Sequence, residues 1–287
     1  MNVGYDTMFR SFIYRLGRRI YHSARNETIN IPKKNGENKL QTELIKHKER
    51  SRSNLIVMDI GANVGEWSCS LISAIQKSAK PLNTEIYAFE AVDKTLNKYK
   101  TNICEKYNGN AIKIIASCSA MSSTIGEATV FITGDLAGTN SLHWDGLTNH
   151  LESKVKTDTI DNYIKNNNIG HIDFIKVDTE GHDLEVIRGG HLALQKEIIS
   201  VVQFEYNHRW VFARNYIKDV FDFLENLPYT VGKLTPKGIE LYEKWHPEIE
   251  KFVEGNYIII HNDLVDEFKC VNLYFDNHNA MSTHIAQ

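Results

Sequence analysis

The sequence predicts an α/β protein built on a doubly wound, seven-stranded Rossmann-like sheet with an inserted hairpin and loop. Three observations lead there. Apolar runs of strand length alternate with helix-spaced segments from residue 54 to residue 261, as β-α units on a parallel sheet do. One junction, Val57 to Ser68, holds two glycines in a tight turn between strand and helix. Four acids, Asp59, Glu90, Asp178 and Glu205, each close a predicted strand. Ligands of such sheets sit outside the carboxyl ends of the strands, so the four acids are expected along one binding edge.

The 287 residues, 42% of them hydrophobic, are enough for one large packed domain with extensions. The net charge of −3 is unevenly spread. Residues 1–53 hold 12 Lys/Arg against 5 Asp/Glu, which leaves about ten negative charges on the remainder. An acidic body weighs against a nucleic-acid groove, so no nucleic-acid partner is expected. Cys69, Cys104, Cys118 and Cys270 are scattered without a CxxC pair. Disulfides and a structural zinc are not expected, and a reducing compartment fits. With no signal-peptide pattern and no long apolar span, the expected location is cytoplasmic.

Three regions are expected: a basic N-terminal helical extension (1–53), the main domain (54–261) and a C-terminal tail (262–287). Phe9, Phe12, Ile13, Leu16 and Ile20 share one helical face, with Arg10, Arg15, Arg18 and Arg19 among them. The expected arrangement packs this stripe on the domain. The alternative is peripheral association with an anionic inner membrane surface. Residues 22–37 are polar and read as a linker, and residues 38–50 as a charged helix.

The first strand ends at Asp59, and a helix runs from Trp67 to Ile75. Thr84 to Glu90 is the second strand, followed by a helix capped by Asp93 and running to about Tyr107. Ala111 to Ala116 is the third strand. Cys118, in the turn after it, reads as a buried small residue. Ala128–Thr133 and Lys154–Asp158 alternate like the two arms of a hairpin, joined by a polar loop containing Asn140, Ser141, His143 and Trp144. A loop of that size is often functional. Ile160 to Asn167 is a short helix. The fourth strand, Ile172 to Asp178, runs into a dense polar cluster, Thr179 to Glu185. The fifth, Ile198 to Phe204, ends at Glu205-Tyr206-Asn207-His208. Helix 217–227 and strands 229–234 and 255–261 complete the domain. The tail loses the pattern, although Leu264 to Phe268 can dock.

The glycine turn is not the dinucleotide pattern GxGxxG. Asp59 stands two residues before Gly61, where it would repel a pyrophosphate and suit a cationic amine. Gly61 permits close approach to the backbone, and Gly65 opens a helix whose N–H groups face a ligand. The stretch resembles the first motif of S-adenosylmethionine (SAM) methyltransferases. Taken alone it is also compatible with NAD, another nucleotide, or a structural strand-turn-helix. Glu90, 25 residues beyond Gly65, is placed to accept hydrogen bonds from ribose hydroxyls.

The chain resembles the FkbM-type SAM-dependent methyltransferases over roughly residues 54–261. The resemblance rests on Asp59-Ile60-Gly61-Ala62-Asn63-Val64-Gly65, Thr159-Ile160-Asp161-Asn162 and the run from Asp173 to Asp183, with Phe204-Glu205 and Asn256-Tyr257. It departs at Ala91, where the family often has proline. The resemblance implies a SAM site formed by Asp59, Gly61, Asn63, Gly65, Glu90, Ala91, Ser119, Ala120 and Asp178. It also implies O-methylation of a hydroxyl on a saccharide, glycolipid or secondary metabolite. Methylation of a protein, peptide or RNA, and a non-catalytic SAM-binding module, are the alternatives.

A hydroxyl is a poor acid, so a base is needed. Asp178, Glu180, His182, Glu205 and His208 are the candidates, with histidine closest in intrinsic pKa. A metal route would use Asp178, Glu205 and Asn207, oxygen ligands that suit Mg2+.

Overall fold

The computed structural model describes residues 7–27, 30–51, 53–134, 136–146, 149–276 and 278–283. The strands are β1 (Leu55–Ile60), β2 (Thr84–Glu90), β3 (Ile112–Cys118), β4 (Ala120–Met121), β5 (Gly126–Ile132), β6 (Leu151–Asp158) and β7 (Phe174–Val177). They continue as β8 (Val201–Tyr206), β9 (Tyr229–Thr235), β10 (Gly238–Tyr242), β11 (Gly255–His261), β12 (Cys270–Phe275) and β13 (Met281–Thr283). Among the described residues, ten of them form one sheet in the order β13-β12-β10-β9-β11-β8-β7-β1-β2-β3. β3, β2, β1, β7 and β8 are parallel neighbours, and β11 enters antiparallel between β8 and β9. The winding direction reverses between β1 and β7, which opens a crevice at their carboxyl ends.

β1 explains why the sheet needs cover on both faces. Leu55 and Val57 enter the layer under Leu71 and Ile72, whereas Met58 and Ile60 enter the opposite layer with Ile175, Val177 and Leu184. A strand buried on both faces reads as a continuous apolar run. The acid that interrupts the run, Asp59, therefore needs a local partner.

The expected hairpin lies outside this sheet. β5 pairs antiparallel with β6, Ala128 opposite Val155, and β4 joins β6 in parallel. The resulting three-stranded sheet carries the loop between residues 132 and 151 toward the crevice.

Four expectations are corrected. First, the main sheet has ten strands. The seven predicted ones are all present, and β10, β12 and β13 extend one edge. Second, the tail is not patternless: β12 pairs with β10, burying Leu273, and Phe268 is buried against the domain. Its alternation is short and diluted by polar residues, which hides it. Third, Cys118 ends β3 exposed. Partial desolvation and the Asp93 and Glu90 carboxylates push its thiol pKa up, so it is not an activated nucleophile.

The fourth concerns the N-terminus. Helices α1 (Thr7–Ala24), α2 (Pro32–Asn35) and α3 (Glu37–Ser51) precede β1, and α4 (Glu66–Gln76) follows it. The stripe expected to pack on the domain is open: Phe9, Phe12, Ile13, Leu16 and Ile20 are 59, 62, 51, 47 and 61% exposed. The helix meets the body through polar groups at its end, with His22 3.3 Å from Glu27. The described part of the expected linker is not a solvated linker either. Arg25, Asn35 and Glu37 are buried. Asn30 donates to Glu205 Oε1 at 2.6 Å, and Asn256 donates to Asn30 at 3.0 Å. Polar composition suggested solvent, but these groups satisfy one another's hydrogen bonds, which is what makes burial tolerable.

Candidate active site

β1 delivers the chain to Gly61, whose φ is +77° and whose added Cβ would lie 1.9 Å from the Asp178 carbonyl oxygen. Only glycine fits there. The space it leaves is taken by the end of β7, a reason different from the expected approach of a ligand. Gly65 is likewise a packing glycine. Its φ is +93°, and a Cβ would meet Ile103 Cγ1 at 2.4 Å. It lines a separate groove beside α3 and α4 and is not among the residues that line the cleft described below.

Asp59, expected beside the cofactor's amine, does not reach the cleft wall. It is 1% exposed and accepts a 2.6 Å hydrogen bond from Ser68 Oγ, beneath the turn and off the cleft wall. Burial pushes its pKa up to about 7, against the Ser68 hydrogen bond and Lys176. A carboxyl so placed ties β1 to the first turns of α4.

Gly61, Asn63, Glu90, Ala91, Ser119, Ala120, Asp178, Glu180 and His182 line one cleft at the carboxyl edge. Glu90 accepts from the Asn63 N–H at 3.0 Å and the Val92 N–H at 2.9 Å. These bonds aim the carboxylate, and each oxygen keeps acceptor capacity. Burial raises its pKa against them. Asn63 Oδ1 and Thr179 Oγ1 are buried without a hydrogen-bond partner among the described residues. Unsatisfied buried polar atoms are rare and mark places where a ligand or water supplies the missing partner. The polar wall therefore fits a hydroxyl-bearing cofactor such as SAM.

Carboxylates cluster at Asp178 and Glu180, which line the cleft, and at Glu205, which is buried beside them and does not line it. Ligand-capable atoms of Asp178, Glu180 and Glu205 all lie within 4.8 Å of one another. Two protein cations answer them. Lys176 Nζ is 3.2 Å from Asp178 Oδ2, and Arg209 Nε is 2.8 Å from Glu180 Oε2. Glu180, at φ +55°, has its pKa pushed up to about 8, first by burial and then by Asp178, with Arg209 opposing. Glu205 is raised well above the usual carboxylate range by burial and by Asp178.

The two candidate histidines part ways: His182 lines the cleft and His208 does not. His182 is buried, and both ring nitrogens are engaged: Nδ1 is 2.9 Å from His143 Nε2, and Nε2 is 3.0 Å from Ser122 Oγ. Burial, then His143, depresses its pKa to about 4. The depressed value and the two engaged nitrogens count against His182 as a base matched to neutral pH. His208 is exposed and does not line the cleft. Asn207 donates to Glu205 Oε2 at 3.1 Å, while its oxygen accepts the Arg209 N–H at 2.8 Å. The group of ligand-capable carboxylates is Asp178, Glu180 and Glu205, with Glu180 where the sequence suggested Asn207 as a third ligand.

Sequence reasoning passed over Lys176, Arg209, Asn30 and Ser122. Lys176 did leave a signal, a lone ammonium in the middle of a buried apolar strand. Arg209 is called to Glu180 across the fold and left none. The remaining family motifs hold the scaffold. The Asp161 carboxylate accepts the N–H groups of Leu192 and Ala193 at 2.9 and 2.8 Å. Asp173 accepts the Ile56 N–H at 2.8 Å and pairs with Lys48 at 2.7 Å.

The inserted loop roofs the cleft. Ala137, Gly138, Asn140, Ser141 and Leu142 line it, and Ser141 Oγ donates to the Glu180 carbonyl at 2.8 Å. The free space beneath is about 70 Å3, whereas ligand sites hold roughly 300–1,000 Å3. The roof must therefore move to admit a cofactor. Hydrogen exchange at residues 136–146 is expected to be faster in the free protein than with SAM bound. Identical exchange in both states would mean that the roof is fixed.

The methyltransferase FkbM domain matches residues 59–231, more than half of the chain. The hexuronic acid methyltransferase AglP of Haloferax volcanii is 24% identical over 155 residues, which are 54% of this chain and 58% of that protein. The chain thus spans somewhat over half the length of this curated relative. Among solved structures, WbdD aligns at 14% identity over 79% of this chain and 40% of its own, with a TM-score of 0.42. Magnesium protoporphyrin IX methyltransferase from Synechocystis PCC 6803, with bound SAM, aligns at 12% identity over 91% of this chain and 100% of its own, with a TM-score of 0.38. With its motifs on the crevice that the sheet topology opens, the chain belongs to the FkbM methyltransferase domain family.

Proposed function

We propose that the protein is a SAM-dependent O-methyltransferase acting on a saccharide hydroxyl. The observation that carries the reading is one cleft lined by both Glu90, suited to ribose hydroxyls, and Glu180, suited to accept a proton. Similarity to a hexuronic acid methyltransferase supports a saccharide acceptor. When bound, SAM supplies a methyl group already activated on a cationic sulfur.

The chain's own residues do the rest. Glu90, Asn63, Ala91, Ser119 and Ala120 hold the nucleoside end. Asp178 and Glu180 face the transfer, and their negative field favours a cation in the cleft. Glu180 accepts the hydroxyl proton as the new C–O bond forms; a carboxylate with a pKa near 8 is a far better base than an ordinary one. Glu205 lies beside Asp178 and Glu180, and Asn30 and Asn207 fix its two oxygens. Asp178, Glu180 and Glu205 would also be the residues to hold a Mg2+ ion. Lys176 and Arg209 already neutralise part of this cluster, which favours a metal-free reaction; its check is turnover that persists after chelation.

Incubating the protein with methyl-labelled SAM and a saccharide panel tests the proposal. Labelled sugar and S-adenosylhomocysteine are expected. SAM binding without any labelled sugar, but with labelled peptide or RNA, would overturn the acceptor class. Glu90→Ala is expected to weaken SAM binding by about 1.5–3 kcal/mol through lost charge-assisted hydrogen bonds. Calorimetry giving an unchanged affinity would remove Glu90 from the site.

A further inference from the structure

A second groove, of about 1,070 Å3, runs between α1 and the segment Phe252–Glu254. Tyr14, Arg18 and His22 follow one another at four-residue spacing on its α1 wall, with Arg15 and Arg19 beside them. The exposed stripe of Phe12, Ile13, Leu16 and Ile20 lies on the other side of the same helix. Asn30 also lines the groove, and its side chain donates to Glu205 Oε1 at 2.6 Å. The groove lining is therefore one hydrogen bond away from the carboxylate cluster of the transfer site.

Its charge is unbalanced. Arg15, Arg18 and Arg19 are exposed and pair with no carboxylate among the described residues; Arg18 reaches only His22, at 3.4 Å. Of the two acids in the groove, Glu27 is taken up by Arg25 at 2.8 Å and Lys233 at 3.2 Å. That leaves Glu254 as the one carboxylate of the described lining not so engaged, against three guanidinium groups. Guanidinium groups bind carboxylates and phosphates through two parallel hydrogen bonds, so an open row of them beside a reaction site selects an oxyanion. The two cations of the transfer site, Lys176 and Arg209, are already engaged by Asp178 and Glu180. The charge of an anionic acceptor therefore finds open guanidinium groups in the groove.

We propose that this groove seats a carboxylate or phosphate carried by the methyl acceptor, with Arg15, Arg18 and Arg19 as its counter-charges. The proposal rests on the saccharide O-methyltransferase reading and adds the acceptor's charge. Asn30 is the positioning residue between the two sites, because it touches both the groove and Glu205.

The test is equilibrium binding to the full chain, saturated with S-adenosylhomocysteine, of three soluble probes: methyl glucuronide, glucose 1-phosphate and uncharged methyl glucoside. Wild-type protein is expected to bind one or both anions more tightly than the neutral sugar, and less tightly as salt rises. The triple variant Arg15→Gln, Arg18→Gln, Arg19→Gln is expected to lose about tenfold or more of the anion affinity, as charge-assisted hydrogen bonds would. Its affinity for S-adenosylhomocysteine should stay unchanged, which separates this result from a failure of the methyltransferase reading. The arginines are exposed, so folding is checked simply by an unchanged Tm. Equal binding of all three probes by wild-type protein, or equal anion binding by the variant, would overturn the proposal. Loss of flotation with vesicles of phosphatidylglycerol and phosphatidylcholine, with soluble anion binding unaltered, would also overturn it and make the arginines a membrane contact.

Discussion

Glu180→Gln is expected to abolish most methyl transfer while leaving SAM binding intact. The substitution keeps the shape of the side chain and an acceptor oxygen, but removes the basic oxygen. Loss of a general base costs about 10²–10⁴-fold, and the loss belongs in kcat because the proton moves only in the transition state. The pH profile gives an independent sign. The base acts deprotonated, so single-turnover rate should rise with pH and level off above about 8, the value to which burial and Asp178 push Glu180. Arg209 opposes that shift across 2.8 Å. Arg209→Gln should therefore move the rising limb to higher pH. A structural role for Glu180 would leave the limb in place. Wild-type rates in Glu180→Gln would show that another group takes the proton. His182, neutral and held on both nitrogens, predicts no rising limb of its own near its depressed value of about 4 that tracks turnover.

Lys176→Met carries the largest expected loss of stability. Lys176 is buried, 3.2 Å from Asp178 Oδ2, 3.2 Å from Asn256 Oδ1 and 4.0 Å from Glu37 Oε2. Burial disfavours its ammonium, but Asp178, Glu37 and Glu205 outweigh that and raise its pKa above the usual lysine value. A raised lysine pKa contributes stability that is fully present below the unfolded value and is lost as pH rises through the folded one. At neutral pH the contribution is complete. Methionine fills the volume and leaves the acids without their cation. Removing one partner of a buried ionic cluster costs about 3–5 kcal/mol, roughly 10 °C in Tm for a chain of this size. Adding Glu37→Gln should restore part of the loss, because the two substitutions touch one network. Scanning calorimetry of the single and double variants is the measurement. A Tm within about 2 °C of wild type would show that the acids shed their charge freely.

These two residues also mark where reading the sequence stops. Lys176 was visible as a charge inside an apolar strand, with Asp178 two residues on, but its other partners lie on β8, on β11 and at the start of α3. Glu37, in particular, sat in a stretch that composition assigns to solvent. Asn30, at the edge of the transfer site, belongs to the same stretch. Polarity predicts exposure only when a group has no better partner than water, and here the partners come from residues far along the chain.

The sequence by itself determined the doubly wound sheet, because strand-length apolar runs and helix-spaced segments alternate at a rhythm few other folds permit. It determined the binding edge, because acids at strand ends must fall together once the strands are parallel. It also determined the family, through motifs that bind β1, β7 and their turns into one crevice. The tertiary structure alone decided which of those acids face the cleft. Asp59 closes its strand as Glu90 does, yet Ser68 draws it beneath the turn. Tertiary structure alone also decided the protonation chemistry. A pKa depends on burial and on charges within a few ångströms; burial is set by the whole fold, and several of those neighbours are distant in sequence, Arg209 beside Glu180, His143 beside His182 and Asp178 beside Glu205.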